Sequence, residues 1–85
     1  MANRATGKVT RLYVRAERTN IRLEVPADLQ PLENYFSLEL THPNYHALYS
    51  LALSAAVNGY PLSIRTTDQI TSSARANVDY MYVDW

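Results

Sequence analysis

Residues 40–65 read LTHPNYHALYSLALSAAVNGYPLSIR, and the fold turns on how that run is parsed. Pro43 suits a first helical turn, where its missing N–H would have had no partner. Thr41 or His42 stands where a cap belongs. Tyr45, Leu48, Tyr49, Ala52, Ala55 and Ala56 then recur at the i, i+3, i+4, i+7 spacing of one helical face. Leu51 and Leu53 widen that face, the pattern of a helix packed on more than one surface. Asn58-Gly59 ends it, because glycine takes the left-handed conformation past a helix end without a Cβ clash. The spacing predicts one helix over about 43–58, thin enough in alanine and serine to lie close to a sheet or to a second copy of itself.

Away from this helix the period changes to two, that of strands. On its C-terminal side, YPLSIRTT points Leu62 and Ile64 inward. After the polar connection DQITSSARAN, VDYMYVDW places Val78, Tyr80 and Tyr82 on one face and Asp79, Met81, Val83 and Trp85 on the other. Both faces of that last strand are partly apolar, which calls for a cover or a partner on the outside. On the N-terminal side, YFSLEL sets Phe36, Leu38 and Leu40 toward a core, with Tyr35, Ser37 and Glu39 opposite. PADLQPLENY before it has two prolines and no steady period, and reads as a loop. Farther back, GKVTRLYVRA and IRLEV alternate on either side of the polar turn ERTN and form a hairpin. Thr10, Leu12, Val14, Ala16, Ile21, Leu23 and Val25 are its expected core face. Val9, Arg11, Tyr13, Arg15, Arg22 and Glu24 face out.

The order is therefore β-β-β-α-β-β. It predicts a mainly β fold, a five-stranded antiparallel OB-fold barrel with the single helix as its plug. Eighty-five residues make one domain, with residues 1–7 read as disordered. A chain this short buries a modest core and gains from self-association. It has no cysteine, which excludes a disulfide scaffold and every thiolate metal site. The start, MANRATGKV, lacks the apolar segment of a signal peptide, so a cytoplasmic location is expected. ALYSLALSAAV is about half the ~20 residues of a membrane span, and no membrane partner is expected. Net charge is zero, but six of the eight Lys and Arg lie in residues 1–22 against Glu17 alone, and residues 23–85 hold two against seven acids. A basic half of that kind holds an anion or pairs with the acidic half.

The run HPNYHALYSLALSAAVNGYPLSIR, followed by the tyrosine-rich VDYMYVDW, resembles small OB-fold proteins related in pattern to the B subunits of bacterial AB5 toxins. The resemblance lies in element order and helix composition and spans about residues 7–85. It implies a homo-oligomer, a ring in which the helix lines a central pore, and a glycan as ligand. Those subunits are exported and usually carry a disulfide, which this chain lacks. None of their glycan-binding residues is carried over.

Four candidate sites remain. His42 and His46 have the i, i+4 spacing of a metal pair, but Pro43 lies between them and no third ligand is near. His42 is expected to cap and His46 to be exposed, and no metal or cofactor is expected. The serines lack a G-x-S-x-G elbow, and Gly7 and Gly59 are the only glycines, too few for a phosphate-cradling loop. No catalytic residue is expected, and the protein reads as a non-enzyme. Arg11, Tyr13, Arg15 and Arg22 form a cationic and aromatic set on the outer hairpin face, suited to phosphate and base of single-stranded nucleic acid. Against that stands pairing of these arginines with Glu24 and Glu39 across the sheet, which the available acids favour. Tyr80, Tyr82 and Trp85 on the last strand are expected oligomer contacts, since amphipathic aromatics are enriched at interfaces. A non-enzymatic, homo-oligomeric OB-fold binding or assembly module, in a ring or a dimer, leads by elimination. Single-stranded nucleic-acid binding by the basic face stands second, and a glycan-binding ring third.

Overall fold

The structure, a computed structural model, describes residues 2–84. Its elements run β1 (Arg4–Val14), β2 (Arg18–Leu23), two single 3₁₀ turns (Ala27–Leu29 and Leu32–Asn34), β3 (Phe36–Glu39), α1 (Tyr45–Asn58), β4 (Pro61–Thr66) and β5 (Ala76–Tyr82). The strands close on themselves in the order β1-β2-β3-β5-β4. The sheet is mixed, not antiparallel as expected, because β3 and β5 run parallel. Parity requires this. Five strands whose directions alternate round a closed ring must leave one seam parallel, and here it is Phe36 and Ser37 opposite Ala76 and Asn77.

β1 begins earlier than its alternation suggested. Arg4 to Lys8 pair with Arg65 to Pro61 of β4, and residues 9–14 pair with β2. One strand thus belongs to both halves of the ring. At Gly7 it passes so close to the backbone of Glu24 that a Cβ would collide with the Glu24 carbonyl. The Glu24 N–H donates to the Lys8 carbonyl at 2.9 Å just beyond. The chain turns at Arg15–Glu17, ahead of the expected ERTN turn, with the Arg15 N–H donating to the Arg18 carbonyl at 2.8 Å.

Two bulges reset the inside-outside alternation. Val9 lies opposite Leu23 but Arg11 opposite Arg22, so Thr10 is the extra residue on β1. Val9 therefore packs inward with Leu12, while Val14 and Ala16, expected in the core, are exposed. On β5, Val78 lies opposite Thr66 and Tyr80 opposite Arg65, with Asp79 extra. Val78 and Met81 are buried, and Tyr80 and Tyr82 point out. The expected shared face of Val78 with Tyr80 and Tyr82 is thus split.

The core holds Ile21, Leu23, Phe36, Leu38, Leu62 and Ile64, all at or below 1% exposure. Full burial of side chains this size contributes about 1.5–3 kcal/mol each. α1 packs on β1, β3, β4 and β5 through Leu48, Ala52 and Ala55. Its first turn is tied to β2 by a 2.7 Å hydrogen bond between the Tyr45 and Thr19 hydroxyls. Asn44 precedes the helix without a side-chain cap, and Gly59 ends it at φ 71°. Leu40, Leu53 and Val57 are exposed at 52%, 42% and 76%. Leu40 leaves the core because β3 stops at Glu39, and α1 buries one face only. Among the described residues no helix is long and apolar enough to cross a membrane.

Candidate functional site

The bulge at Thr10 turns Arg11 and Tyr13 outward, where they meet the outer residues of β2. Arg11 lies opposite Arg22, and Tyr13 opposite Asn20. Two like charges facing each other across a sheet destabilise it unless something intervenes. Tyr35 intervenes. The Arg22 guanidinium sits 4.6 Å from the Tyr35 ring centre, and Arg11 Nη1 donates to the Tyr35 hydroxyl at 3.1 Å. Tyr13 lies 6.1 Å from Tyr35 with the rings inclined at 56°, and the Arg15 guanidinium is 5.6 Å from the Tyr13 ring. Arg11, Tyr13, Arg15 and Arg22 are therefore brought together, with Tyr35 at their centre.

The acids expected to neutralise them are engaged elsewhere. Arg18 Nε donates to Glu39 Oε2 at 2.9 Å, and Arg18 Nη1 lies 3.3 Å from Glu17 Oε1. Among the described residues all ion pairs run to Arg18. The Ser37 hydroxyl also donates to Glu39, at 2.5 Å. That hydrogen bond, with a lesser contribution from Arg18, holds the Glu39 carboxyl below its ordinary value of 4.5. The expected pairing of Arg11, Arg15 and Arg22 with Glu24 and Glu39 does not form. Arg22 Nε is buried without a hydrogen-bond acceptor.

Beside the ring pair lies a shallow cleft of about 100 Å³, to which Asn20, Leu32, Glu33 and Arg75 also contribute. Pockets that enclose a drug-sized molecule are several times larger, about 300–1,000 Å³. This one is too small to enclose such a molecule and is an open patch of the surface. The second 3₁₀ turn builds one wall, with Glu33 and Asn34 both left-handed at φ 59° and 60°. Such φ values in non-glycine residues carry strain, of the order of 1 kcal/mol or more each. The Leu32 N–H donates to the Ala74 carbonyl at 3.1 Å and so docks that turn on the β4–β5 connection next to Arg75. Sequence reading missed Tyr35, Asn20 and Arg75. Alternation did point Tyr35 outward, but only the β2–β3 register, with Ile21 opposite Phe36, sets it beside Arg22.

A second set of arginines and tyrosines lies on the outside of β1, β4 and β5. Tyr80 and Tyr82 stack at 6.4 Å and 29°. The Arg65 guanidinium is 5.9 Å from the Tyr80 ring, and Arg4 is 5.9 Å from that of Tyr82. With the Asn3 amide turned so that Oδ1 faces Arg65, it accepts from Nε and Nη2 at 3.0 and 2.9 Å. Trp85, the third expected contact residue, lies outside the described residues.

The histidines separate. His42 Nδ1 accepts from the Asn44 N–H at 3.0 Å, which leaves the proton on Nε2, 2.8 Å from the Asp79 carbonyl. His42 thus joins the start of α1 to the bulge of β5. His46 is exposed, edge-on to Tyr45. Among the described residues no three His, Asp or Glu side chains gather as a metal ion requires. No protein-family model, curated protein or solved structure matches this chain.

Proposed function

We propose that this protein is a non-enzymatic binding module that holds single-stranded nucleic acid on the outer face of β1 and β2. The observation that carries this reading is Tyr35 held between Arg11 and Arg22, neither of them paired with an acid. Tyr35 and Tyr13 offer rings to bases, and Arg11, Arg15, Arg22 and Arg75 offer guanidinium groups to phosphates. Zero net charge does not oppose this, since the field that matters is local: Glu17 and Glu39 are bound to Arg18, and Glu33 is the one acid that lines the cleft, against Arg15, Arg18 and Arg75. The strand order β1-β2-β3-β5-β4 supports the finer assignment of an OB-fold barrel, the architecture implied by the likeness to toxin B subunits. In such barrels the strand 2–3 face and the loops after strands 1 and 4 carry oligonucleotides. Here those positions bring Arg15, Tyr35 and Arg75 to one cleft.

Fluorescence anisotropy with a labelled oligothymidylate tests the reading. Arg11→Glu combined with Arg15→Glu is expected to weaken binding by roughly a hundredfold or more and to flatten the salt dependence, with the circular dichroism spectrum unchanged. Equal binding by wild type and double variant overturns it.

Self-association is a second reading, favoured by the outer side of α1. Leu53 and Val57 are exposed there, and a separate hollow of about 390 Å³ lined by Leu51, Ser54, Ala55, Tyr60 and Val83 flanks the helix. We infer a dimer or ring contact through α1, with Tyr80 and Tyr82 left outside it. Light scattering is expected to give a multiple of 9.7 kDa that Val57→Asp lowers. A monomeric wild type excludes it.

A further inference from the structure

β1 carries outward cations along its whole length. Arg4, Lys8, Arg11 and Arg15 are all exposed, and no acid interrupts them on that strand or its following turn residue. Regular alternation cannot produce this, because residues 4 and 8 and residues 11 and 15 have opposite parity. The bulge at Thr10 changes the phase between them and brings both pairs to the outside. Eleven residues at about 3.3 Å per step extend ~33 Å, long enough to serve both halves of the ring. The first half of β1 pairs with β4 and its second with β2, so β1 passes from one half of the ring to the other. Its N-terminal end reaches the Tyr80–Tyr82 ledge, where Arg4 lies against Tyr82. Its C-terminal end reaches the Tyr13–Tyr35 pair. Lys8 stands between the two.

We infer that the Tyr80–Tyr82 ledge, with Arg4 and Arg65, is a second contact site for the same single strand, and that β1 is the track joining the two sites. The inference rests on the reading proposed above and adds to it a site and a length requirement. The ledge has the chemistry such a strand needs. Two adjacent rings at 29° offer bases a nearly continuous apolar surface, and a guanidinium at each ring offers phosphate a charge. A ligand held only at the Tyr13–Tyr35 pair need be just a few nucleotides long, whereas one that follows β1 must span the molecule. A strand rises at least about 3.4 Å per nucleotide, so at most about eight to ten nucleotides cross the 28 Å molecule, within the roughly 4–16 that a single-strand-binding barrel covers, while about two or three suffice for the first pair alone.

The test uses the full chain with two labelled oligothymidylates, of about 3 and about 12 nucleotides, the first too short to leave the Tyr13–Tyr35 pair and the second long enough to follow β1. Arg4→Glu with Lys8→Glu, both at exposed positions, is expected to weaken binding of the long oligonucleotide roughly tenfold or more, and of the short one by less than about twofold. Tyr80→Ala is expected to show the same split, and Tyr35→Ala to weaken both. Equal effects of the Arg4/Lys8 pair on the two lengths, or no effect on either, overturn the ledge as a second site while leaving the first reading standing. Failure of wild type to bind either oligonucleotide overturns both. A fall in the mass of the free protein on Tyr80→Ala makes the ledge a contact between copies and overturns the inference as well.

Discussion

The two arginine–tyrosine faces use the same residue types to different effect. On the β1–β2 face one tyrosine serves two arginines, at 4.6 Å to the ring and 3.1 Å to the hydroxyl, and the neighbouring ring is inclined at 56°. On the β1–β4–β5 face each tyrosine has its own arginine at 5.9 Å, and the rings lie almost parallel. The first arrangement is a clamp that opposes two like charges, and the second is a ledge. The difference follows from register. Arg11 faces Arg22 directly, so a ring and its hydroxyl must mediate, whereas Arg65 faces Tyr80 and needs no mediator. Only β1 belongs to both faces, and its course decides whether they can act together.

The largest expected effect lies where β1 crosses from one face to the other. Gly7→Ala sets a Cβ against the backbone carbonyl of Glu24, which has no flexible end to move aside. A loss of at least about 2 kcal/mol is expected, read as a lower urea midpoint with an unchanged slope. An unchanged midpoint would mean that β1 does not approach β2 so closely, and the link between the faces would fail with it.

Next in size is the contrast between the two tyrosines. Removing the Tyr35 ring leaves Arg11 and Arg22 facing each other with nothing between. Tyr35→Ala is therefore expected to cost about 1–2 kcal/mol in the free protein, from lost ring contacts and uncovered repulsion. Tyr80→Ala leaves Arg65 with Asn3 and is expected to cost under about 1 kcal/mol. Thermal melts of both variants with and without added salt check this. Salt should recover part of the Tyr35→Ala loss by screening and little of the other. Equal losses would remove the distinction between clamp and ledge.

A smaller effect is expected at the β5 bulge, which sets Tyr80 and Tyr82 outward. The Asp79 carbonyl lies outside the regular ladder and takes its proton donor from His42. His42→Ala is expected to cost about 1 kcal/mol, the usual worth of one such hydrogen bond. Hydrogen exchange at Asn44 and along β5 should rise in that variant and stay unchanged at β2.

Much of this architecture is legible in the sequence. The helix from its apolar spacing to Gly59, the inward Ile21 and Leu23, and the inward Leu62 and Ile64 follow from period alone. The expected all-antiparallel barrel misses the parallel seam, which an odd strand count requires once the sheet closes. The bulges do not follow, because one inserted residue at Thr10 or Asp79 leaves local composition unchanged and reverses every side chain beyond it. That reversal put Val14 in the expected core, set Val9 outside it and grouped Val78 with Tyr80. The arginine–tyrosine cluster was legible as far as Arg11, Tyr13, Arg15 and Arg22. Tyr35 was not, since its place depends on which strand pairs with β2. Arg18 was read as part of a turn, and it is the residue that takes up Glu39 and leaves the other arginines unpaired.

Glu39 provides the smallest and most specific test of why the first face stays cationic. Its carboxyl is held below the ordinary 4.5 by the Ser37 hydroxyl first and Arg18 second. A group whose folded pKa is depressed contributes stability above its unfolded value and loses it as pH falls through the folded one. Wild type is therefore expected to exceed Glu39→Gln in stability near neutral pH. The gap should shrink only below about pH 4.5, closing as the carboxylate takes up its proton. Glu39 is partly exposed, so the gap at neutral pH should be modest, about 0.5–1 kcal/mol. With Glu39 neutral, only Glu17 still faces Arg18, the face gains one net positive charge, and oligonucleotide binding should strengthen about two- to threefold. A stability gap that is flat from neutral pH to pH 3 would show that Ser37 and Arg18 do not hold the carboxylate. Arg18 would then be as free as its neighbours, and the β1–β2 face would carry one more positive charge than the clamp requires.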